Sequence, residues 1–387
     1  MPLNVGKQHR RLNFMDIFQI DLSNRKHVRD FLELPGRIYR DIPQWVPPLA
    51  GDERLRLNPK KYPFYRHSSA AFFLASDGGL PIGRLAVLDN RRYNEFNHAR
   101  TAFLYLFECS PNPVAARGLF DSAFTWARQR GLDRLAGPKG FTPLDGLGLL
   151  VKGFDRRPAL GQPYNPDYYP KFFEEAGFKK TGEIVSGYMG ADLAFPQRIH
   201  ELAERTRERR SLRIVRFRTR RELRQSLDGL EGLLNSVMGG TSGGTPITSE
   251  EIKTLVDQLL WFADLHLVKI LMKDKIPVGF LLAYPDISAA LQKTKGRLFP
   301  FGWFTFLRET RKTDWINING AGMIEEYRGL GGTAILYSEM FRSVTENPRY
   351  RHVEVVQIGL ENDRMQREMQ NFGVDFYKTH CLYERGL

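Results

Sequence analysis

Apolar positions along this chain switch between two spacings, every second residue and every third to fourth, and the switches mark out its elements. SSAAFFLASDGGLPIGRLAVLD (68–89) alternates on either side of Asp77-Gly78-Gly79, which predicts a hairpin. TAFLYLFEC (101–109) predicts a strand, PVAARGLFDSAFTWARQRG (113–131) an amphipathic helix stopping at Gly131, and DRLAGPKGF (133–141) a short strand. PDYYPKFFEEAGF (166–178) reads as a helix with Gly177 near its end, and TGEIVSGYMGADL (181–193) as the strand that closes the run. The same order then returns. LHLVKILMKDKIPVGFLLAYP (265–285) is a hairpin turning near Lys273-Asp274-Lys275, DWININGAGM (314–323) a strand and GGTAILYSEMFRSVTEN (331–347) a helix. RHVEVVQIGL (351–360) is a strand, NDRMQREMQNFG (362–373) a short helix, and VDFYKTHCLYE (374–384) closes the second run as 181–193 closes the first. A doubled mixed α/β unit is the economical explanation.

Length agrees, since 387 residues exceed what one hydrophobic core usually organises. The boundary falls in QRIHELAERTRERRSLRIVRFRTRRELRQ, residues 197 to 225, which holds eleven arginines and four glutamates out of a chain of formal charge +13. The expected division is a first domain over 14–196, a basic linker helix over 197–212 and a second domain over 213–387. That arginine-rich stretch reads as a solvated linker helix, or as a surface for acidic lipid headgroups, tRNA or acyl carrier protein. Two scattered cysteines, Cys109 and Cys381, exclude a disulfide framework and a thiolate metal site, so no metal is expected. The N-terminus lacks the apolar core of a secretory signal, and LFPFGWFTFL (298–307) is too short to span a bilayer. A cytoplasmic protein is expected, and composition leaves its oligomeric state open.

Candidate chemistry concentrates in MIEEYRGLGGTAILY, where Arg328, Gly329, Leu330, Gly331, Gly332 and Thr333 join a strand to a helix. Unpaired N–H groups at a helix start, with the positive end of its dipole, favour a pyrophosphate. Glycine lets the backbone approach closely and Arg328 brings a guanidinium. A glycine turn that serves packing alone is the other reading.

This strand, loop and helix resemble the GNAT acyltransferase fold, in which Arg/Gln-x-x-Gly-x-Gly/Ala holds the coenzyme A pyrophosphate; Glu326, Tyr327, Arg328, Gly329 and Gly331 match, and Thr333 stands where Gly or Ala is usual. Asn362 and Gly373 fit the family's second marker, while Met369 occupies the position where many members carry a tyrosine acid. In the first half Gly177 and Phe178 match the end of that marker, Phe173 sits at the tyrosine position, and FECSPNPVAARG has no pyrophosphate loop. The whole length is similar to a group of bacterial tandem GNAT-like proteins, through YRDIPQWVPPL, KKYPFYRH, GGLPIGRLAVLDNRRYNEF and PYNPDYYPKFFEEAGF. The resemblance implies two GNAT-like domains, each a mostly antiparallel sheet flanked by helices. It also implies acetyl-CoA or a longer acyl-CoA bound by the second half alone, and an amine acceptor whose site the first half helps to shape. The oxyanion donor would lie near Gly322 or Met323, Asn362 would belong to the cofactor site, and Glu354 and Glu361 are the candidate bases, although each reads first as a surface or capping carboxylate. His380 and Tyr383 lie on the closing strand within possible reach.

One segment bears on the acceptor. Phe299, Phe301, Trp303, Phe304 and Phe306 are bracketed by Lys293, Lys295 and Arg297 and by Arg308, Arg311 and Lys312, the pattern of an interfacial helix or lipid-lined entrance, or of an interface anchor. The lipid reading implies a long-chain amine or acyl-CoA, peripheral contact with the inner membrane surface through 298–307, and a layout like that of bacterial ceramide synthases. Two alternatives stand beside an N-acyltransferase: an aminoacyl-tRNA-dependent transferase of tandem GNAT fold, and a non-catalytic acyl-CoA-binding protein. A nucleic-acid partner is not expected, because the tRNA-dependent enzymes do not require the coenzyme A loop that this chain keeps.

Overall fold

The computed structural model describes residues 15–142, 145–191, 195–226, 230–239, 244–359 and 362–387. The first half runs β1 (Met15–Gln19), α1 (Arg25–Ile38), α2 (Ala50–Arg56), β2 (Ser69–Asp77), β3 (Leu80–Asp89), α3 (Arg91–Phe96), β4 (Thr101–Cys109) and α4 (Pro113–Arg128). It continues through β5 (Arg134–Gly137), β6 (Leu149–Lys152), α5 (Tyr169–Glu175) and β7 (Lys179–Gly190). After α6 (Gln197–Arg210) come β8 (Leu212–Val215), α7 (Arg220–Gln225), α8 (Leu230–Gly239), α9 (Ser249–Leu259), β9 (Val268–Lys273) and β10 (Ile276–Pro285). The chain ends through α10 (Ser288–Thr294), α11 (Gly302–Lys312), β11 (Trp315–Met323), α12 (Gly332–Thr345), β12 (His352–Gly359), α13 (Asp363–Asn371) and β13 (Asp375–Gly386).

All strands join one 13-stranded sheet in the order β1-β2-β3-β4-β5-β13-β7-β12-β11-β10-β9-β8, with β6 pairing β13 off this path. Among the described residues only β4–β5 and β11–β12 pair in parallel, so the sheet is mostly antiparallel, as expected. The hairpins β2–β3 and β9–β10 turn where the glycines and Asp274 predict, Asp77 opposing Leu80 and Lys273 opposing Ile276.

The closing strands do not stay with their own halves. β13 pairs β5 of the first half, β7 pairs β12 of the second, and the two run antiparallel beside each other at the centre. Each half therefore completes its sheet with a strand from the other. Cys381 and Tyr383 of β13 accordingly sit in the first half's core with Phe107, Phe120, Phe173 and Phe178.

The second half's core lies between its sheet and α6 and α12, with Ala203, Leu271, Val278, Ile316 and Ile335 at its centre. The basic helix α6 thus lies along α12, where Arg207 meets Glu339 at 2.9 Å and Glu204 meets Arg342 at 2.8 Å. Part of the arginine charge is consumed in this packing; Arg205, Arg209 and Arg210 remain exposed.

Candidate active site

The two parallel strand pairs each feed a helix, and the two helix starts differ. In the first half Asn112 accepts from the N–H groups of Val114 and Ala115 at 3.1 and 3.0 Å, and Pro113 opens α4 without an N–H of its own. The groups that would bind an anion there are occupied or missing. In the second half α12 starts on Gly331, and no side chain caps it. Gly329 and Gly331 hold φ of +72° and +87°, a region costly for any residue with a Cβ. A Cβ on Gly331 would also strike Thr206 of α6, so this glycine serves helix packing as well as loop shape. A Cβ on Gly329 would meet nothing within 4 Å.

Beside this loop the sheet opens. β11 and β12 pair only from Trp315–His352 to Ile318–Val355, and beyond those residues they diverge. Ile324 donates to Val278 of β10 at 3.0 Å, so by strand alternation the Met323 amide faces the gap. Arg328 folds back and donates from Nε to the Met323 carbonyl at 3.0 Å. A cavity of about 800 Å³ passes through the opening. It is lined by Arg328, Gly329, Thr333 and Asn362 around the loop, by Ala321, Gly322 and Met323 of β11, and by Tyr93, Phe103 and Lys139 of the first half.

The sequence-derived candidates divide on this geometry. Gly322, Met323, Arg328, Gly329, Thr333 and Asn362 line the cavity, whereas Leu330, Gly331 and Gly332 shape the loop without lining it. Asn362 spends its Oδ1 on the Met365 N–H at 3.1 Å, capping α13. Glu361 lies outside the described residues. Glu354 is 3% exposed and does not line the cavity. Lys378 donates to its Oε1 at 2.7 Å and also to the Arg157 carbonyl at 2.7 Å. Burial raises the Glu354 carboxyl and lowers the Lys378 amine, and the contact between them pulls each back. Such a pair suits structure better than proton transfer from a substrate.

Met369 is buried with Val185, Val355, Ile358 and Val374, so its thioether is core. His380 is fully buried and its Nε2 lies 3.0 Å from the Pro163 carbonyl, which requires the proton on Nε2. Burial lowers its pKa to about 4, so it is neutral. Tyr383 is buried in the first half's core and also lines the cavity.

Other groups in the cavity escaped the sequence reading. Glu183, Glu368 and Glu384 line it, Glu384 within 3.3 Å of Arg134. The Tyr337 hydroxyl reaches the Met365 sulfur at 3.1 Å. Lys139 places its ammonium 4.3 Å from the centre of the Tyr93 ring and 4.9 Å from that of Phe103, and burial lowers its pKa to about 8. Among the described residues no group of His, Cys, Asp and Glu is arranged to hold a metal, and no helix is long and apolar enough to cross a membrane.

No family model matches the chain. A tandem GNAT protein from the clavulanic acid biosynthesis pathway superposes with a TM-score of 0.54 at 13% identity, over 96% of this chain and 98% of that one. A GCN5-related N-acetyltransferase from Sphaerobacter thermophilus gives 0.51 at 13% identity, over 96% and 95%. The chain has the tandem GNAT fold. Among curated proteins, Protein YghO of Escherichia coli (strain K12) is 25% identical over 368 residues, 94% of this chain and 93% of that one. The bacterial ceramide synthase of Caulobacter vibrioides (strain NA1000 / CB15N) is 26% identical over 381 residues, 96% and 98%. Within the tandem GNAT fold, the gap between β11 and β12 and the uncapped α12 fall in the half that carries the glycine loop.

Proposed function

We propose that this chain is an acyl-CoA-dependent N-acyltransferase whose second half holds the coenzyme and whose first half supplies one wall of the acceptor site. One observation carries the reading: an uncapped, glycine-led helix start and a gap in the sheet open on the same cavity, while the matching helix of the first half is capped by its own Asn112. The N–H groups at the start of α12, with the helix dipole, bind the pyrophosphate, and Arg328 stands at the loop's mouth. The pantetheine arm runs into the gap. There the Met323 amide donates to the thioester oxygen as it becomes an oxyanion. The amine nitrogen attacks the carbonyl carbon, the carbon–sulfur bond breaks, and the products are an amide and coenzyme A, one proton passing from nitrogen to sulfur. Orientation of the two substrates supplies much of the acceleration. Glu183 and Glu368 are the carboxylates on hand to take the amine proton, and Tyr337 is the phenol on hand to protonate the thiolate.

For the acceptor, the name of the ceramide synthase relative favours a lipid amine, and the surface of α11 agrees with it. Phe299 and Phe301, just before α11, are 78% and 83% exposed, with Trp303 and Phe304 of the helix beside them. Of the flanking cations, Lys293, Arg308 and Lys312 surround Glu309 and Arg297 meets Glu33, and the net positive charge left over suits contact with an anionic membrane. A second reading, a protein that binds acyl-CoA without turning it over, is favoured by the burial of Met369 and by the pairing of Glu354 with Lys378. Calorimetry with acetyl-CoA separates the cases when combined with a turnover assay on amines. Wild type should bind, and Arg328→Glu should weaken binding at least tenfold, since it places a negative charge beside the phosphates. No binding by wild type sinks both readings; binding without turnover of any amine leaves the second.

A further inference from the structure

We infer that a second cavity, enclosed by α7, α8, α9, β9 and β10, seats the aliphatic chain of the acyl donor, and that Phe280 is the gate between it and the thioester. The inference rests on the acyl-CoA reading above. The cavity is about 120 Å³ and is lined by Leu, Ile, Val, Ala and Phe side chains together with Lys269 and Tyr284. Neither polar residue leaves a free group to the cavity: the Lys269 ammonium donates to Ser343 at 2.7 Å, and the Tyr284 hydroxyl accepts from Asn319 at 2.9 Å and donates to the Leu160 carbonyl at 3.2 Å. Water would find no partners there, so the space suits a hydrocarbon.

Phe280 ties this cavity to the reaction centre. Its side chain lines the apolar space, and its Cε1 lies 2.8 Å from where a Cβ on Gly322 would stand, with Val237 on the same spot. Gly322 and Val237 both line the large cleft. The absence of a side chain at 322 leaves the room that the ring edge occupies beside the strand that faces the thioester. A rotation of that one ring joins the cleft to the apolar space, in the direction in which an acyl chain leaves a carbonyl held at Met323. The volume sets the length. A cavity of about 150 Å³ takes the six carbons of benzene, so roughly five carbons fit in this smaller one without repacking, the tail of a hexanoyl group beyond its carbonyl.

Titration calorimetry with coenzyme A and with acetyl-, butyryl-, hexanoyl- and dodecanoyl-CoA tests this on the full chain. The expected result is unchanged affinity for the coenzyme portion and a gain of about fourfold per methylene up to hexanoyl, levelling beyond it. Phe280→Trp, which bars the gate, and Leu255→Phe, which fills the space from α9, should each flatten that series while leaving coenzyme A binding as it was. Equal affinities for acetyl- and hexanoyl-CoA in the wild type, with coenzyme A bound, overturn the chain site and leave the cofactor reading standing. Failure of every coenzyme species to bind overturns both. A chain-length series that survives in both variants also overturns the placement.

Discussion

Replacing Glu354 by Gln distinguishes a base from a structural ion pair. The carboxylate lies on β12 and meets Lys378 of β13 across the intervening β7, with the Lys378 ammonium 1% exposed and bonded also to the Arg157 carbonyl. Removing the charge leaves the ammonium buried without its counter-ion, a loss of about 3 to 5 kcal/mol. At about 2.1 cal/mol/K of unfolding entropy per residue, 387 residues give roughly 0.8 kcal/mol/K, so the melting temperature should fall by about 4 to 6 °C. Differential scanning calorimetry reads that shift. Acyl transfer at 20 °C, well below the transition, should retain most of the wild-type kcat. The double replacement Glu354→Met with Lys378→Met should recover much of the stability, because neither charge then needs a partner. A hundredfold loss of kcat in a Glu354→Gln protein that melts like the wild type would refute the structural assignment and restore Glu354 as the base.

Two further outcomes follow from named groups. His380 is held neutral with a folded pKa of about 4 against 6.5 unfolded, so between those values only the unfolded chain takes up the proton, and stability falls as pH drops. At pH 5 this amounts to about 2 kcal/mol, which His380→Gln should remove by keeping a donor to the Pro163 carbonyl without a titrating ring; an unchanged acid limb in denaturant titrations from pH 7 to 5 would contradict it. On the surface of α11, Phe301→Ser with Phe304→Ser should lower co-sedimentation with vesicles containing phosphatidylglycerol tenfold or more, since each exposed ring contributes about 1.5 kcal/mol or more on burial. Vesicle binding that is absent in the wild type removes the membrane contact from the proposal.

The order of elements was readable because each half alternates cleanly between the two spacings, and every strand and helix drawn from those spacings exists in the fold. The exchange of β7 and β13 was not readable. Both strands carry similar alternation, and nothing in either marks which parallel pair it will join, since that depends on which edge lies nearer when the halves meet. The same blindness extends to the site. Arg328 and its glycines announce themselves by local backbone chemistry, whereas Lys139, Tyr93 and Phe103 reach the cleft from the other half and carry no local signal. The ion pair of Glu354 was unreadable for a related reason: its strand was known, but its partner Lys378 comes from β13, and only the exchange brings the two within 2.7 Å. β6 was too short, at four residues, for any period to show.

The exchange also governs how the protein is made. During synthesis the first half emerges with β5 as an unpaired sheet edge, and the strand that covers it, β13, leaves the ribosome only after β8 to β12 of the second half. Phe107, Phe120 and Phe173 must wait for Cys381 and Tyr383 before their core is sealed. A nascent chain with an open edge and exposed aromatics is a substrate for chaperones and a source of aggregates. Damage to β13 should therefore injure the first half before the second, and a stop codon shortly before Tyr383 would cost the cell both halves.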